Sequence, residues 1–142
     1  MREPTAGNTR YTKHEEQDQS SGAAGNDFGR EMGPKVAVMI GAKMLSTSSN
    51  VALHRGKVTA IKTANTDGVV VTYSILAKVE MVCAAFFKTP KRPEIYLLSA
   101  EQYRKVMKPS QSRSHKDRAG KPTAGRVTEA IFKRHGERVI VT

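Results

Sequence analysis

The sequence predicts a single small α/β domain: a mixed β-sheet with a core helix before it and another helix following it. Three patterns carry that prediction. They are an apolar helical stretch through Val36, Ala37, Met39, Ile40 and Met44, two strand-like runs joined by Arg55-Gly56, and a nearly continuous apolar run from Val79 to Phe87. The chain has 142 residues, and independent cores usually take roughly 100 to 200 residues each, so one core is expected.

Residues 1–27 are rich in Gly, Ser, Thr, Asn, Gln and charged side chains, with Met1 and Tyr11 almost the only large apolar groups. Such a segment buries too little surface to offset its ordering entropy, and a disordered N-terminal arm is expected. The α/β core is assigned to residues 28–108. Its first helix carries Pro34 in the first turn, where the missing amide would be unpaired anyway. The cluster Ser46-Thr47-Ser48-Ser49-Asn50, whose side chains favour turns, marks the end of that helix.

Strands are expected over Val51–His54 and Lys57–Ala64. The intervening Arg55-Gly56 favours a tight hairpin, with glycine where a positive φ is needed. Alternation in the second strand puts Val58, Ala60 and Lys62 on one side and Thr59, Ile61 and Thr63 on the other. After the turn Asn65-Thr66-Asp67-Gly68, a short strand over Val69–Val71 and a helical turn or irregular link within 74–79 are predicted. Val79–Phe87 reads as a central strand covered on both faces. The stretch 89–93 turns the chain, and Glu94–Leu98 forms the neighbouring strand. Ser99 is the N-cap of a helix, with Gln102 three residues later as in a capping box and Glu101 favouring the positive helix end. This helix runs through Met107 and stops before Pro109.

Residues 109–142 are expected to be a basic C-terminal extension. It would hold one short helix over Thr128–His135 stopped by Gly136, and an edge strand at Val139-Ile140-Val141.

Charge is the strongest statement about partners. Lys and Arg number 24 against 13 Asp and Glu, a formal net charge of +11. The N-terminal arm opposes this: Arg2, Arg10 and Lys13 face Glu3, Glu15, Glu16, Asp18 and Asp27, a net of −2. From Arg104 to Arg126, by contrast, Arg104, Lys105, Lys108, Arg113, Lys116, Arg118, Lys121 and Arg126 face Asp117 alone, a net of +7. A polyphosphate is the commonest partner for such a run, because each cation placed on a phosphate releases condensed counterions. An extended arm lying along phosphates is expected there, joined by Arg55 and Lys57 at the hairpin turn. The competing reading is a solvated linker and a solubility surface.

Other chemistries are disfavoured. The longest apolar stretch, Val36–Ala42, is far short of the about 20 residues that cross a bilayer, and no secretory signal opens the chain. A cytoplasmic, intracellular location is the default expectation. Cys83 lies in an apolar run and reads as a small buried thiol. His14, His54, His115 and His135 show no metal-binding spacing. Neither a Gly-x-Ser-x-Gly elbow nor a glycine-rich phosphate loop is present. Aromatics are too few for a stacking platform, although Tyr73, Tyr96 and Tyr103 could each contribute.

One local pattern goes beyond composition. Ser49-Asn50, a strand, the turn Arg55-Gly56-Lys57 and then Val58-Thr59-Ala60-Ile61-Lys62-Thr63 resemble the core of the PD-(D/E)XK nuclease-like (restriction-endonuclease-like) superfamily. Its members place an acid at the start of one strand and an (acid or Gln)-x-Lys triplet on the next. The resemblance spans about residues 28–108. It puts Asn50 at the Asp position, Ala60 at the Glu or Gln position and Lys62 at the lysine position. It further implies that Glu31 from the preceding helix and Glu80 at the start of the following strand are candidate acids, with Asn50 and Glu80 as metal ligands. In the family the carboxylates hold Mg²⁺, which activates water and neutralises charge on the scissile phosphate, while the lysine orients the water or stabilises that charge.

Here Ala60 offers no ligand and Asn50 at most a neutral carbonyl oxygen. The resemblance therefore implies a nucleic-acid-binding protein with a degenerate metal site, with DNA favoured over RNA as the partner. The first alternative is an active Mg²⁺-dependent endonuclease, completed by Glu31, Glu80 or Asp67; without activity no cofactor is expected. The second is a non-enzymatic basic component of a larger viral or ribonucleoprotein assembly. Read without the family, Lys62 is an ordinary strand lysine facing solvent and Asn50 a turn residue.

Overall fold

The computed structural model describes residues 28–46, 50–89 and 92–141. The predicted arm over 1–27, residues 47–49 of the predicted turn cluster and residues 90–91 of the predicted 89–93 turn lie outside the described residues.

Helix α1 covers 28–39. Pro34 therefore sits well inside it and not in its first turn. The helix forfeits one backbone hydrogen bond there, but Val36, Ala37 and Ile40 on its inner face are buried against the sheet. The helix also ends earlier than the Ser/Asn cluster suggested. Gly41 takes φ +72, its amide bonds the Val38 carbonyl at 3.1 Å, and the Ala42 amide bonds the Ala37 carbonyl at 2.8 Å. This pair of bonds is a Schellman stop. Met44 consequently lies on a strand, β1 (Lys43–Ser46).

Strands β2 (Val51–His54) and β3 (Lys57–Ala64) form the expected hairpin. Its two connecting residues, Arg55 at φ 52 and Gly56 at φ 78, have the paired positive φ values that match strand twist in a two-residue turn. Next come β4 (Gly68–Thr72), the single-turn α2 (Tyr73–Leu76) and β5 (Met81–Phe87). Strand β6 (Pro93–Ser99) leads into α3 (Ala100–Val106). The Ser99 hydroxyl accepts from the Gln102 amide at 3.0 Å, as the capping pattern predicts.

The main sheet has the order β1-β2-β3-β5-β6-β9, where β9 is Glu137–Val139. Only β3 and β5 run parallel; every other neighbouring pair in it is antiparallel. The sheet is thus mixed, as predicted. Residues 82–87 of β5 are all buried, consistent with its central place between two covered faces. Burial pushes the Cys83 thiol up to about 12, which makes it an inert core group.

The two faces carry separate cores. One joins Ile61, Cys83, Ala85, Phe87, Ile95 and Leu97 to α1. The other joins Ala60, Ala64, Val82, Ala84, Phe86 and Leu98 to Val69, Val71, Tyr103, Val127 and Phe132.

The second core is roofed by a three-stranded antiparallel sheet in the order β4-β8-β7, built from β8 (Ala124–Thr128) and β7 (Lys108–Pro109) beside β4. Here the structure departs from the expectation of an extended basic arm: Lys108–Pro109 and Ala124–Thr128 fold back as strands of this sheet, joined by residues 110–123. The apolar face of β4 supplies the reason, because Val69 and Val71 are buried with Val127. Tyr103 ties α3 to this roof by donating to the Gly125 carbonyl at 2.8 Å. Helix α4 (Glu129–His135) is capped by Thr128 and ends at Gly136 as expected. A Cβ on Gly136 would come within 2.6 Å of the Leu97 carbonyl oxygen, so glycine there allows close passage over β6. Among the described residues no helix is long and apolar enough to cross a membrane.

Candidate nucleic-acid interface

Lys62 and Ala60 point from β3 into the face roofed by the second sheet, as alternation requires. Ala60 is 0 % exposed and has no polar atom to offer. Lys62 is half-buried, and desolvation lowers its pKa from the ordinary lysine value. No carboxylate among the described residues offsets that charge.

Asn50 is a near neighbour in the backbone, since its carbonyl accepts from the Ile61 amide at 2.8 Å. Its side chain goes the other way. At φ 51 the chain turns it onto α1, where Nδ2 donates to the Gly29 carbonyl at 2.8 Å. The side chain lies directly over Gly33, where a Cβ would meet its Cγ at 2.5 Å. The sheet thus separates the Asn50 amide from the Lys62 ammonium.

Glu31 is on the exposed side of α1, paired with Lys35 at 3.5 Å, and also lies across the sheet from Lys62. Glu80 stands at the far end: its carboxylate accepts from the Val58 amide at 3.4 Å. Asn50 and Glu80 are therefore beside β3 residues three apart, about 10 Å at a rise of about 3.3 Å per residue. Asp67, in the β3–β4 turn, pairs with Arg126 at 2.7 Å. Among the described residues no group of three or more His, Cys, Asp or Glu converges on one point. The donors at these positions do not fit a shared Mg²⁺ ion, which needs several oxygens in a near-octahedral shell.

The ten predicted nucleic-acid-binding cations divide by what they already hold. Arg55 pairs with Glu137 at 3.0 Å; with Lys57 it lies at the end of β3 away from Lys62. Arg104 donates to the Leu76 carbonyl at 2.7 Å and so secures the end of α2. Arg126 holds Asp67 and lies over Gly68, where a Cβ would come within 2.7 Å of its Cζ. Lys105 makes a long exposed pair with Glu101 at 3.9 Å, worth little in water. Arg113 belongs to a short 3-10 turn, Arg113–His115. Lys108, Lys116, Arg118 and Lys121 are exposed and take part in no ion pair among the described residues.

These four lie on β7 and the connection from β7 to β8, and that connection is ordered by its own polar groups. The Ser110 amide bonds the Ala124 carbonyl at 2.9 Å and the Thr123 amide the His115 carbonyl at 2.7 Å. The buried Ser110 hydroxyl bonds His115 Nδ1 at 3.0 Å. Beyond them Lys116 bridges to Pro122, leaving Asp117–Lys121 as a tip. Burial, and after it the charge of Lys62, hold the His115 pKa below its ordinary value. His115 and Lys62 are thus electrostatic neighbours, and the base of the basic connection lies near the lysine.

Sequence reading missed Ser110 and His115 as the pair that shapes this connection. A local signal for the tip existed: Asp117 with Gly120 three residues on is a type I turn signature. Comparison with known proteins finds no family model and no curated protein that matches the chain.

Proposed function

We propose that this protein binds nucleic acid through the sugar–phosphate backbone, using the basic β7–β8 connection, and that its core is a nuclease-like α/β domain with a degenerate metal site. The observation that carries the reading is the set Lys108, Lys116, Arg118 and Lys121. These cations are exposed, without carboxylate partners among the described residues, and mounted on a hydrogen-bonded connection beside the half-buried Lys62. Exposed cations that neutralise no internal anion are available to phosphates.

The mixed sheet with its preceding helix supports the nuclease-like part, as does Lys62 sharing a face with Ala60. Degeneracy is supported by Ala60, which lacks a ligand atom, and by Asn50, whose amide is spent on α1. DNA is favoured over RNA as the partner through the nuclease-like resemblance.

Titration of a labelled DNA duplex in rising salt tests this. Four phosphate contacts predict a slope of log K against log salt of roughly −3 to −4; affinity independent of salt would remove the proposal. Incubating the same duplex, and an RNA of equal sequence, with Mg²⁺ or Mn²⁺ tests degeneracy, because cleavage abolished by Lys62→Ala would establish an active site.

A further inference from the structure

We infer that residues 116–122 form a preformed finger that docks on a phosphodiester backbone through Arg118 and Lys121, with Asp117 acting as its internal strut. This rests on the nucleic-acid reading above and goes beyond it by naming the docking element and the role of an acid.

Asp117 is the only acid between Arg104 and Arg126. By charge alone it should oppose a polyanion. Its carboxylate, however, is turned into the loop: Oδ1 accepts from the Ala119 amide at 2.9 Å and from the Lys121 amide at 2.9 Å. The backbone completes the frame. The Asp117 amide donates to the Lys121 carbonyl at 2.9 Å, and the Gly120 amide donates to the Asp117 carbonyl at 2.9 Å.

Gly120 holds φ +78 with nothing within 4 Å of where a Cβ would lie. It is a glycine needed for conformation and not for space. Below the tip the Lys116–Pro122 bridge narrows the loop to a neck. Four hydrogen bonds and one positive φ therefore fix five tip residues in an exposed, protruding turn.

The result is that the backbone amides at positions 119 and 121 absorb the Asp117 charge, while Arg118 and Lys121 project from the same turn without ion pairs among the described residues. Cations carried on a backbone that is ordered before binding cost less freedom on meeting phosphates than cations on an unordered loop, so order in the tip becomes affinity. The occupant is a polyphosphate backbone, because two adjacent cations with few apolar side chains around them recognise charge and not a hydrophobic body.

Three variants of the full chain separate conformation from charge. Asp117→Asn removes the charge but keeps a side-chain oxygen for the two amides; it should bind the duplex at least as tightly as wild type. Asp117→Ala removes the same charge and also the strut. Plain electrostatics predicts tighter binding for it, whereas the finger predicts binding weaker than Asp117→Asn by about threefold or more as the tip loses its order. Arg118→Ala with Lys121→Ala should reduce the salt slope by about 1.8.

Equal or tighter binding by Asp117→Ala relative to Asp117→Asn would overturn the inference, as would an unchanged slope in the double variant. In both cases wild-type binding stands and the broader reading survives. Absence of salt-dependent binding by the wild-type chain would remove that reading and the finger with it. Thermal unfolding of each variant, expected within about 2 °C of wild type for so exposed a loop, confirms that the comparison is between folded proteins.

Discussion

The amide of Asn50 donates to the Gly29 carbonyl at 2.8 Å while its own Oδ1 is buried without a hydrogen-bond partner among the described residues. One atom of this side chain thus anchors the start of β2 to α1, and the other is already a desolvated acceptor. Replacing it by Asp would set a carboxylate oxygen against a carbonyl. Asn50→Asp should therefore lower stability at neutral pH by about 1–3 kcal/mol, the usual cost of an unsatisfied buried polar group. The deficit should shrink as pH falls through the carboxylate range, because a protonated Asp can again donate to Gly29. Urea unfolding at two pH values measures it; a deficit that grows in acid would contradict this account.

Glycine at 136 keeps α4 close to β6. Its φ of −102 is open to any residue, so only space is at issue. An added methyl would press on the Leu97 and Phe132 carbonyl oxygens, at 2.6 and 2.8 Å, and backbone atoms yield poorly. Gly136→Ala should cost roughly 1–3 kcal/mol, as overpacking does. Chemical denaturation checks it, and an unchanged midpoint would mean that α4 can tilt away freely.

Lys62 yields a pH prediction whose sign follows from its environment. Its folded pKa is lowered by desolvation, so between that value and the unfolded value the unfolded chain binds more protons. Stability then rises with pH across that window, approaching its full value near the unfolded lysine range, and carries a constant penalty below it. Lys62→Met should raise stability at neutral pH by on the order of 1 kcal/mol and flatten the alkaline rise. His115 adds an acid-side counterpart. Its lowered pKa means that stability is lost as pH falls below the ordinary histidine value, and the loss should be smaller in Lys62→Met because the neighbouring charge is gone.

The arginines with internal partners should behave differently from the lysines that have no ion pair among the described residues. Arg104→Ala removes the 2.7 Å bond to Leu76 and should cost about 1 kcal/mol of stability with little change in salt slope. Lys108→Ala should leave stability within about 0.5 kcal/mol and weaken duplex binding. Paired melting and binding measurements on both variants decide it; equal effects on affinity would mean that internal pairing does not sort these cations.

Much of the fold was legible in short-range chemistry. Arg55-Gly56 specified a hairpin, Ser99 and Thr128 specified helix starts, and the run ending at Phe87 specified a central strand, because each depends on neighbours in sequence. Gly41 was the overlooked stop: with Met44 continuing an apolar pattern, one positive φ decided where the helix ended. Pro34 misled in the opposite direction, since tertiary burial of Val36 and Ile40 outweighs one missing amide. The site was less legible for a related reason. Composition locates cations but not their partners, and nothing near Arg126 or Arg104 in sequence reveals Asp67 or the Leu76 carbonyl. Likewise the face that Asn50 chooses is set by its backbone turn and by Gly33, not by the strand pattern that aligned it with Lys62.

The chain leaves the main sheet at β6, builds the roof with β7 and β8, and returns through α4 to add β9 beside β6. The two sheets are in this way stitched by one thread. Cutting the protein after Lys108 would strip β8 from β4 and β9 from β6, baring Val69, Val71 and Ile95. The basic region is woven into the architecture and cannot be trimmed like a tail, so its contribution to binding is weighed by side-chain substitution and not by truncation.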